Sequence, residues 1–411
     1  MRALPDRSMH QSNWRTPLAI LICGGIILTL SLGTRHTFGL YLQPITLDLS
    51  WSRETFAIAL AIQNIVYGIA TPLTGMIADR WGTARVLVTG ALVYALGIYL
   101  MAHSATGPEF SLSAGLLVGM GLACTGFSPV FGVVGRAFPP HKRTLALGVA
   151  SSAGSFGQFL MLPYGQTLIT HMGWQNALMI CAATLLLILP LSLALMENKK
   201  ALAHFGGKQS IPEALREAFG HGGFLLLCSG YFVCGFQILF ISIHFPAYLV
   251  DQQLTPETGM MALALIGLFN IFGTFLWGWL GNRYTKKYVL SVLYFTRAVV
   301  VAIFIVVPIS PLSVYLFAST IGFLWLGTVP VTSGLIAQIF GVKYLSTLTG
   351  IAFLSHQVGS FLGVWVGGYL FDTTGSYQLM WVLTIALGVL AALINLPIND
   401  KQIVRPAAAP A

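Results

Sequence analysis

The stretch GMIADRWGTAR, residues 75–85, places one carboxylate and two arginines in a short loop between two long apolar segments. A weaker copy, GWLGNRYTKK at residues 278–287, begins about 203 residues later and again separates two apolar segments. Trp174-Gln175 and Tyr377-Gln378 repeat at the same offset. The sequence therefore predicts two similar halves, each with a charged turn at the same place.

The composition indicates a membrane protein. Of 411 residues, 56% are hydrophobic and only 8% are charged, whereas soluble proteins are about 25% charged. Apolar runs of about 20 residues recur, which is the length a helix needs to cross a bilayer. We predict an all-α membrane protein with twelve transmembrane helices in two pseudo-symmetric six-helix bundles. The predicted spans are about 17–42, 53–78, 85–103, 112–135, 144–168, 174–196, 222–249, 257–281, 287–307, 312–337, 345–370 and 376–397.

These spans divide the chain into five regions. The predicted regions are an N-terminal tail (1–16), a first bundle (17–196), an inter-bundle loop (197–221), a second bundle (222–397) and a C-terminal tail (398–411). The tails and alternate loops carry eighteen basic residues, and the opposite loops carry Arg53 alone. The positive-inside rule therefore places both termini in the cytoplasm. The net charge of +9 is explained by this distribution and does not indicate nucleic-acid binding.

The loop at residues 75–85 resembles the signature of the major facilitator superfamily. The matching residues are Gly75, Asp79, Arg80, Gly82 and Arg85. The resemblance implies a transporter whose cytoplasmic side is latched by the carboxylate, and Asp79 at a helix boundary could meet a positive helix N-terminus. An alternative is a turn with ordinary solvated charges. The second copy has Asn282 before Arg283 in place of the aspartate, so its latch should be weaker.

A second motif narrows the resemblance. Residues 138–154, FPPHKRTLALGVASSAG, are similar to the helix-5 motif of the monocarboxylate-porter family, whose bacterial branch includes oxalate/formate-type exchangers. That resemblance implies transport of small organic anions. The family's acidic start of helix 1 is missing, and its helix-8 aspartate and arginine are absent, so its usual carboxylate-binding arginine has no counterpart here.

Two arginines, Arg35 and Arg297, lie inside predicted spans, and no acidic residue shares that depth. A charge there costs roughly 3 kcal/mol or more, so it needs a partner, a wet cavity or a function. We favour substrate contact for Arg35, because a guanidinium matches a carboxylate bidentately. The alternative is bonding to backbone carbonyls or extension toward the interface. For Arg297, in a peripheral helix, we favour a structural or polar-network role.

Other polar residues at membrane depth complete the candidate site. His356 and Ser360 share a helix face, and Asn270 lies on a helix-8 face that is otherwise small and open. Each of these residues has a competing interpretation as an ordinary helix–helix hydrogen bond. The candidate substrate-binding residues are Arg35, His356, Asn270, Tyr67, Gln63, Ser360, Thr328 and Trp325, and the candidates for coupling or a polar network are Arg297, His36 and His244.

The predicted function is secondary active or facilitative transport of small organic anions, most of all monocarboxylates, across the inner membrane by alternating access. A drug or cation exporter of the same fold and a non-transporting membrane sensor are the alternatives. The sequence has no Gly-Lys-Ser/Thr phosphate loop, metal-ligand cluster or nucleophile–base arrangement, so we expect no enzyme activity, no cofactor and no metal. The expected partners are a carboxylate, the lipid bilayer and, if coupled, a proton carried by a histidine or the substrate. We expect a monomer.

Overall fold

The computed structural model describes residues 15–51, 53–197 and 209–403, with the backbone alone at residues 53 and 54. The remaining residues of the predicted tails and of the inter-bundle loop lie outside the described residues. Within these described ranges, twelve long helices make up the two predicted bundles, which confirms the fold class. The helices are α1 Pro17–Asp48, α2 Arg53–Trp81, α3 Thr83–His103, α4 Gly107–Ala137, α5 140–172, α6 174–195, α7 Gly222–Asp251, α8 Pro256–Arg283, α9 Lys286–Val306, α10 Pro311–Phe340, α11 Leu345–Thr374 and α12 Gln378–Asn395.

Ten segments of the described chain are long and apolar enough to cross a membrane. One of them, Pro140–Leu195, contains both α5 and α6. The chain reverses at Gly173, whose φ of 79° is costly for residues with a Cβ. The hydroxyls of Tyr164 and Thr184 then meet at 2.9 Å across the hairpin. The twelfth helix is α11, which packs on α7 and α2.

Helices α4 and α10 are interrupted at corresponding depths. Helix α4 breaks at Gly126, where ψ is −162°, and Pro129 follows in the next turn. Helix α10 breaks over residues 324–327, and Pro330 follows it. A proline lacks the N–H that a continuous helix needs and clashes with the preceding turn. The glycine and proline at residues 126–129 and 327–330 predict a bend in each of these spans, and the structure shows a break in the helix at both places.

The internal repeat extends to individual hydrogen bonds. In the first half, the hydroxyls of Ser31 and Thr125 are 2.6 Å apart. In the second half, the Cys234 thiol and the Thr328 hydroxyl, each 203 residues further on, are 3.1 Å apart. Each pair joins the first helix of its half to the broken helix. The two halves therefore share a side-chain plan as well as a topology.

Both described ends of the chain lie on one side of the bundles, where α1 packs against Leu193–Leu195 at the end of α6. Arg136 at the end of α4 binds Glu197 after α6 and the Val342 carbonyl after α10. Ile403 donates its N–H to the Ile339 carbonyl near the end of α10. We call this face the terminal side. The short helix Ile211–Gly220, which connects the halves, begins at a capping box formed by its N-cap serine and a glutamate.

The halves meet along two seams that run from the terminal side toward the middle of the membrane. One seam joins α2 to α11, where a Cβ added to Gly75 would lie 2.5 Å from the Ser346 carbonyl oxygen. The other joins α5 to α8, where a Cβ added to Gly148 would lie 2.8 Å from the Cα of Gly278. Helix backbones approach this closely only where side chains are absent.

Candidate functional site

Arg35 occupies a position on α1 near the interface between the halves. Its guanidinium is partly buried, donates a hydrogen bond to Oδ1 of Asn64 on α2, and lies 5.1 Å from the centre of the Tyr67 ring. In the described part of the chain, no acidic side chain forms an ion pair with it. An arginine inside a membrane that faces an amide and an aromatic ring keeps its full positive charge uncompensated.

A row of rings connects this arginine to the second half. Tyr67 contacts Phe353 of α11 with ring centroids 4.9 Å apart. Phe353 stacks on His356 at 5.6 Å with planes inclined by 7°, and His356 contacts Tyr231 of α7 at 4.9 Å. Arg35, Tyr67 and His356 therefore belong to one continuous group that crosses the interface.

His356 and Ser360 face α7 within the second half. The Ser360 hydroxyl lies 3.4 Å from Nδ1 of His356, and Nδ1 also lies 3.3 Å from Oε1 of Gln357. The Cys234 thiol of α7 interacts with the imidazole as well. His356 is buried, and its ring contacts Phe353 and Tyr231 as well as the Ser360 hydroxyl.

Asn270 lies in a packed interface, and the expectation of a small and open helix-8 face is wrong. Its Nδ2 donates to the Ser155 hydroxyl of α5 at 3.0 Å, and its Oδ1 accepts from the N–H of Leu326 at 3.1 Å. On the same face, Thr274 lies 2.8 Å from the hydroxyl of Ser152. Small residues on α8 allow α5 to fill that space. Asn270 thus ties α5, α8 and the break in α10 together.

Arg297 is held by the interrupted helix α10. Its Nη2 donates to the carbonyls of Leu324 and Trp325, at 2.5 and 2.8 Å, and its Nη1 donates to Oε1 of Gln237 at 3.1 Å. The residue is 1% exposed. The break frees carbonyls that a continuous helix would use, and the guanidinium satisfies them. This geometry is that of a structural polar network.

Three further candidates are engaged inside their own half. Gln63 donates to the Ala114 carbonyl at 2.8 Å, within the π-helical turn Ser111–Leu117 of α4. Thr328 faces Cys234, and Trp325 is buried with its carbonyl bound by Arg297. In this conformation these contacts indicate packing roles.

The two remaining histidines differ in their relation to Arg35. His36, the next residue on α1, is exposed and interacts electrostatically with the Arg35 guanidinium. His244 lies on the side opposite the termini, where its ring nitrogens are 3.1 Å from the Tyr377 hydroxyl and 3.0 Å from the Val364 carbonyl oxygen. Both of these partners of His244 belong to the second half.

The terminal side is held by Asp79. Its Oδ2 accepts hydrogen bonds from the backbone N–H and the hydroxyl of Thr347, at 2.7 and 2.8 Å, in the first turn of α11. Its Oδ1 accepts from Arg136 at 2.9 Å. Arg136 in turn binds Glu197 at 2.6 Å and the Val342 carbonyl at 3.2 Å. A carboxylate of one half therefore caps a helix of the other.

The other residues of the two loop motifs take different places. Arg80 and Arg85 are exposed, and Gly82 forms the turn between α2 and α3 with φ of 97°. In the second copy, Asn282 donates to the His141 carbonyl of α5, and Arg283 is exposed. The cation that binds the Asp79 carboxylate is Arg136, which is not part of the loop motif at residues 75–85. Its signal in the sequence was a single arginine ending an apolar helix.

A model of the Major Facilitator Superfamily matches residues 21–331 and, in a second match, 228–411. The chain belongs to the major facilitator superfamily. It is therefore a multi-pass membrane transporter and not an enzyme. Both the loop motif and the twelve-helix architecture agree with this assignment.

Curated relatives cover most of the chain. An uncharacterized MFS-type transporter of Bacillus subtilis (strain 168), YcxA, is 28% identical over 386 residues, which span 90% of this chain and 92% of that protein. Monocarboxylate transporter 13 of Bos taurus is 26% identical, over 89% of this chain and 85% of that protein. The resemblance to monocarboxylate porters is thus confirmed at low identity.

Solved structures agree in fold. The Escherichia coli fucose:proton symporter FucP matches with a TM-score of 0.71 at 17% identity, over 93% of this chain and 99% of that one. The proton:xylose symporter XylE matches with a TM-score of 0.69 at 16% identity, over 92% of this chain and 94% of that one. At these identities the likeness concerns the fold alone.

Proposed function

We propose that this transporter moves small organic anions, most of all monocarboxylates, by alternating access of a site at Arg35. The observation that carries the proposal is the environment of this guanidinium. It lies within the membrane-spanning part, at the interface between the halves, with a neutral amide and an aromatic ring as its partners. A carboxylate arriving from solution would supply the missing negative charge and accept two parallel hydrogen bonds.

The single available charge favours a monoanion over a dianion. The second arginine at membrane depth, Arg297, is bound to main-chain oxygens and to Gln237, so it is not free to hold a second carboxylate. The rings of Tyr67, Phe353 and His356 border Arg35 and offer an apolar surface for the body of the substrate. The named relatives among monocarboxylate transporters support the same substrate class.

The two seams on the terminal side support a rocking motion of the halves. Asp79 caps α11 across the interface in this state, and separating the halves on the terminal side would break those bonds. The breaks in α4 and α10 lie inside the membrane-spanning stretches Gly107–Ala137 and Pro311–Phe340, and transporters built from two repeated halves bind their substrates near the bilayer midplane. If transport is coupled to protons, His356 or the substrate carboxyl would carry the proton, and otherwise the protein is an exchanger or a facilitator.

The location follows from the charge distribution. We place the protein in the inner membrane of the cell, as a monomer, with the terminal side in the cytoplasm. The eighteen basic residues of the tails and alternate loops support that orientation. A cation exporter would need a carboxylate in the site, and the described part of the chain has none beside Arg35.

The proposal is tested by uptake into proteoliposomes. Purified protein would be reconstituted and supplied with a panel of labelled monocarboxylates, dicarboxylates and organic amines. We expect saturable uptake of one or more monocarboxylates, reduced at least about 100-fold in Arg35→Ala because a bidentate charged contact is lost. Arg35→Lys would keep the charge and lose the fork, so it should be intermediate.

Two further variants sharpen the test. Asn64→Asp would place a permanent negative charge against Arg35, and we expect it to abolish anion uptake while the protein still unfolds at the wild-type temperature. Arg216→Ala, an exposed arginine on the connecting helix, is the control and should transport normally. Wild-type uptake in a normally reconstituted Arg35→Ala protein, or amine uptake in place of acid uptake, would contradict the proposal.

A further inference from the structure

A cavity of about 600 Å³ opens on the terminal side between the two halves. Its walls come from the start of α5 in the first half and, in the second, from the start of α9, the end of α10 and the segment after α12. This volume would hold a small molecule or the headgroup of a lipid. The cavity lies at the end of the transporter, far along the helices from Arg35.

The side chains of this cavity are predominantly positive. Arg143, Lys286 and Lys401 line it, against one carboxylate, Asp400. That carboxylate also lies 3.7 Å from the ammonium group of Lys287. Three cations facing one partly neutralised carboxylate leave an excess of positive charge, which a bound anion would balance.

Two of these cations are held in fixed positions. Arg143 donates from Nε to the Gly135 carbonyl at 2.7 Å and from Nη2 to the Phe138 carbonyl at 3.3 Å. The Lys286 ammonium donates to Oε1 of Gln338 at 2.9 Å, and Nε2 of Gln338 donates to the Asp400 carbonyl at 2.8 Å. A site whose charged groups are already oriented loses less entropy when a ligand binds.

We propose that this cavity binds a multiply charged, phosphate-bearing anion that bridges the two halves. The excess of more than one positive charge suits a phosphate dianion better than a monocarboxylate, and a guanidinium with two ammonium groups is a common phosphate-binding set. The chemistry is shared by two sources, a soluble phosphate compound and the headgroup of an anionic phospholipid.

The site would act on transport because its residues belong to both halves. Arg143 lies in the first half, and Lys286 and Lys401 lie in the second. An anion held by all three binds best when the terminal side is closed, so it shifts the equilibrium toward that state. Saturating ligand should therefore slow turnover without competing with the transported substrate.

The test is a binding measurement that does not depend on transport. In one arm, the thermal unfolding of the protein in neutral detergent is followed with inorganic pyrophosphate against chloride at equal ionic strength. In the other, unfolding is compared in nanodiscs of phosphatidylcholine with and without phosphatidylglycerol. We expect a saturable rise of about 2–4 °C in at least one arm. The arm that responds identifies the source of the phosphate group.

Variants decide whether the rise comes from this cavity. Arg143→Gln and Lys286→Gln should each abolish it, and two separate variants guard against a folding defect in either one. Lys142→Gln removes an exposed neighbour that does not line the cavity and should keep the full response. An equal rise in Arg143→Gln and Lys286→Gln, or no rise in either arm, would overturn the proposal. Since no substrate is involved, this result is independent of the role of Arg35.

Discussion

At the scale of single residues, the two membrane-depth arginines differ in their partners. Arg35 has one amide and one ring, whereas Arg297 satisfies two carbonyls that the break in α10 leaves free. Buried carbonyls that lose their donors cost free energy, whereas removing a partly exposed arginine with one neutral hydrogen-bond partner costs little. The two positions should therefore respond differently to the same substitution.

We expect Arg297→Met to lower the free energy of unfolding by about 2–4 kcal/mol, because it leaves the Leu324 and Trp325 carbonyls without donors. Arg35→Met should lower it by less than about 1 kcal/mol. Thermal or denaturant unfolding of both purified variants in the same detergent gives the comparison. Equal losses in the two variants would show that Arg297 is no more structural than Arg35.

The sequence identified both arginines at membrane depth, but the only basis for giving them different roles was the helix that carries each one. Pro330 predicts a bend in this helix, but the sequence does not show that the Trp325 carbonyl will be free, because the exact place of a helix break depends on how the neighbouring helices pack. Likewise, the spacing on α8 presented Asn270 on a small-residue face, but it could not show that α5 fills that face. The residues of the site were thus predictable by type and depth, and their partners were not.

At the scale of helices, small residues control how closely the halves approach. The seam between α5 and α8 has no side chain at its closest point, where Gly148 faces Gly278. Any added side chain must push the backbones apart at the terminal side. Gly148 belongs to the motif at residues 138–154 and Gly278 to the second copy of the loop motif, but neither motif shows which helix the glycine contacts.

We expect Gly148→Leu to shift the transporter toward the state that is open on the terminal side, since the new side chain would overlap the backbone of Gly278. Thr144 is buried beside this seam. A cysteine at that position, in a variant without the five native cysteines, would report the opening by its alkylation rate.

Alkylation should be at least about tenfold faster in the Gly148→Leu background. Gly39→Leu is the matched control, because an added Cβ there meets no atom within 4 Å. Unchanged alkylation in Gly148→Leu, or the same acceleration in the control, would contradict the assigned role of the seam.

At the scale of the whole molecule, the twelve helices and their two-fold repeat were predictable because both are properties of long apolar runs. The predicted ends of the helices were less accurate. Helix α5 begins at residue 140 and not at the predicted residue 144, and α11 extends to Thr374 and not to the predicted residue 370. Helix ends that continue beyond the bilayer carry polar residues, so hydropathy underestimates their length.

We expect the terminal side to face the cytoplasm, because the basic residues are concentrated there. In a bacterial host, a green fluorescent protein fused after residue 403 should fluoresce, and alkaline phosphatase at the same position should be inactive. A fusion after residue 309, in the loop between α9 and α10, should behave in the opposite way. Phosphatase activity at residue 403 would reverse the assigned orientation.

The two seams are held by different hydrogen bonds at their terminal ends. At the α2/α11 seam, the Asp79 carboxylate accepts two hydrogen bonds from Thr347 and Arg136 donates to the Val342 carbonyl, whereas Asn282 contributes one neutral hydrogen bond at the terminal end of the α5/α8 seam. Hydrogen bonds that involve a charged group are stronger than neutral ones. When the halves separate on the terminal side, the α5/α8 edge should therefore part first, and the α2/α11 edge should act as the pivot.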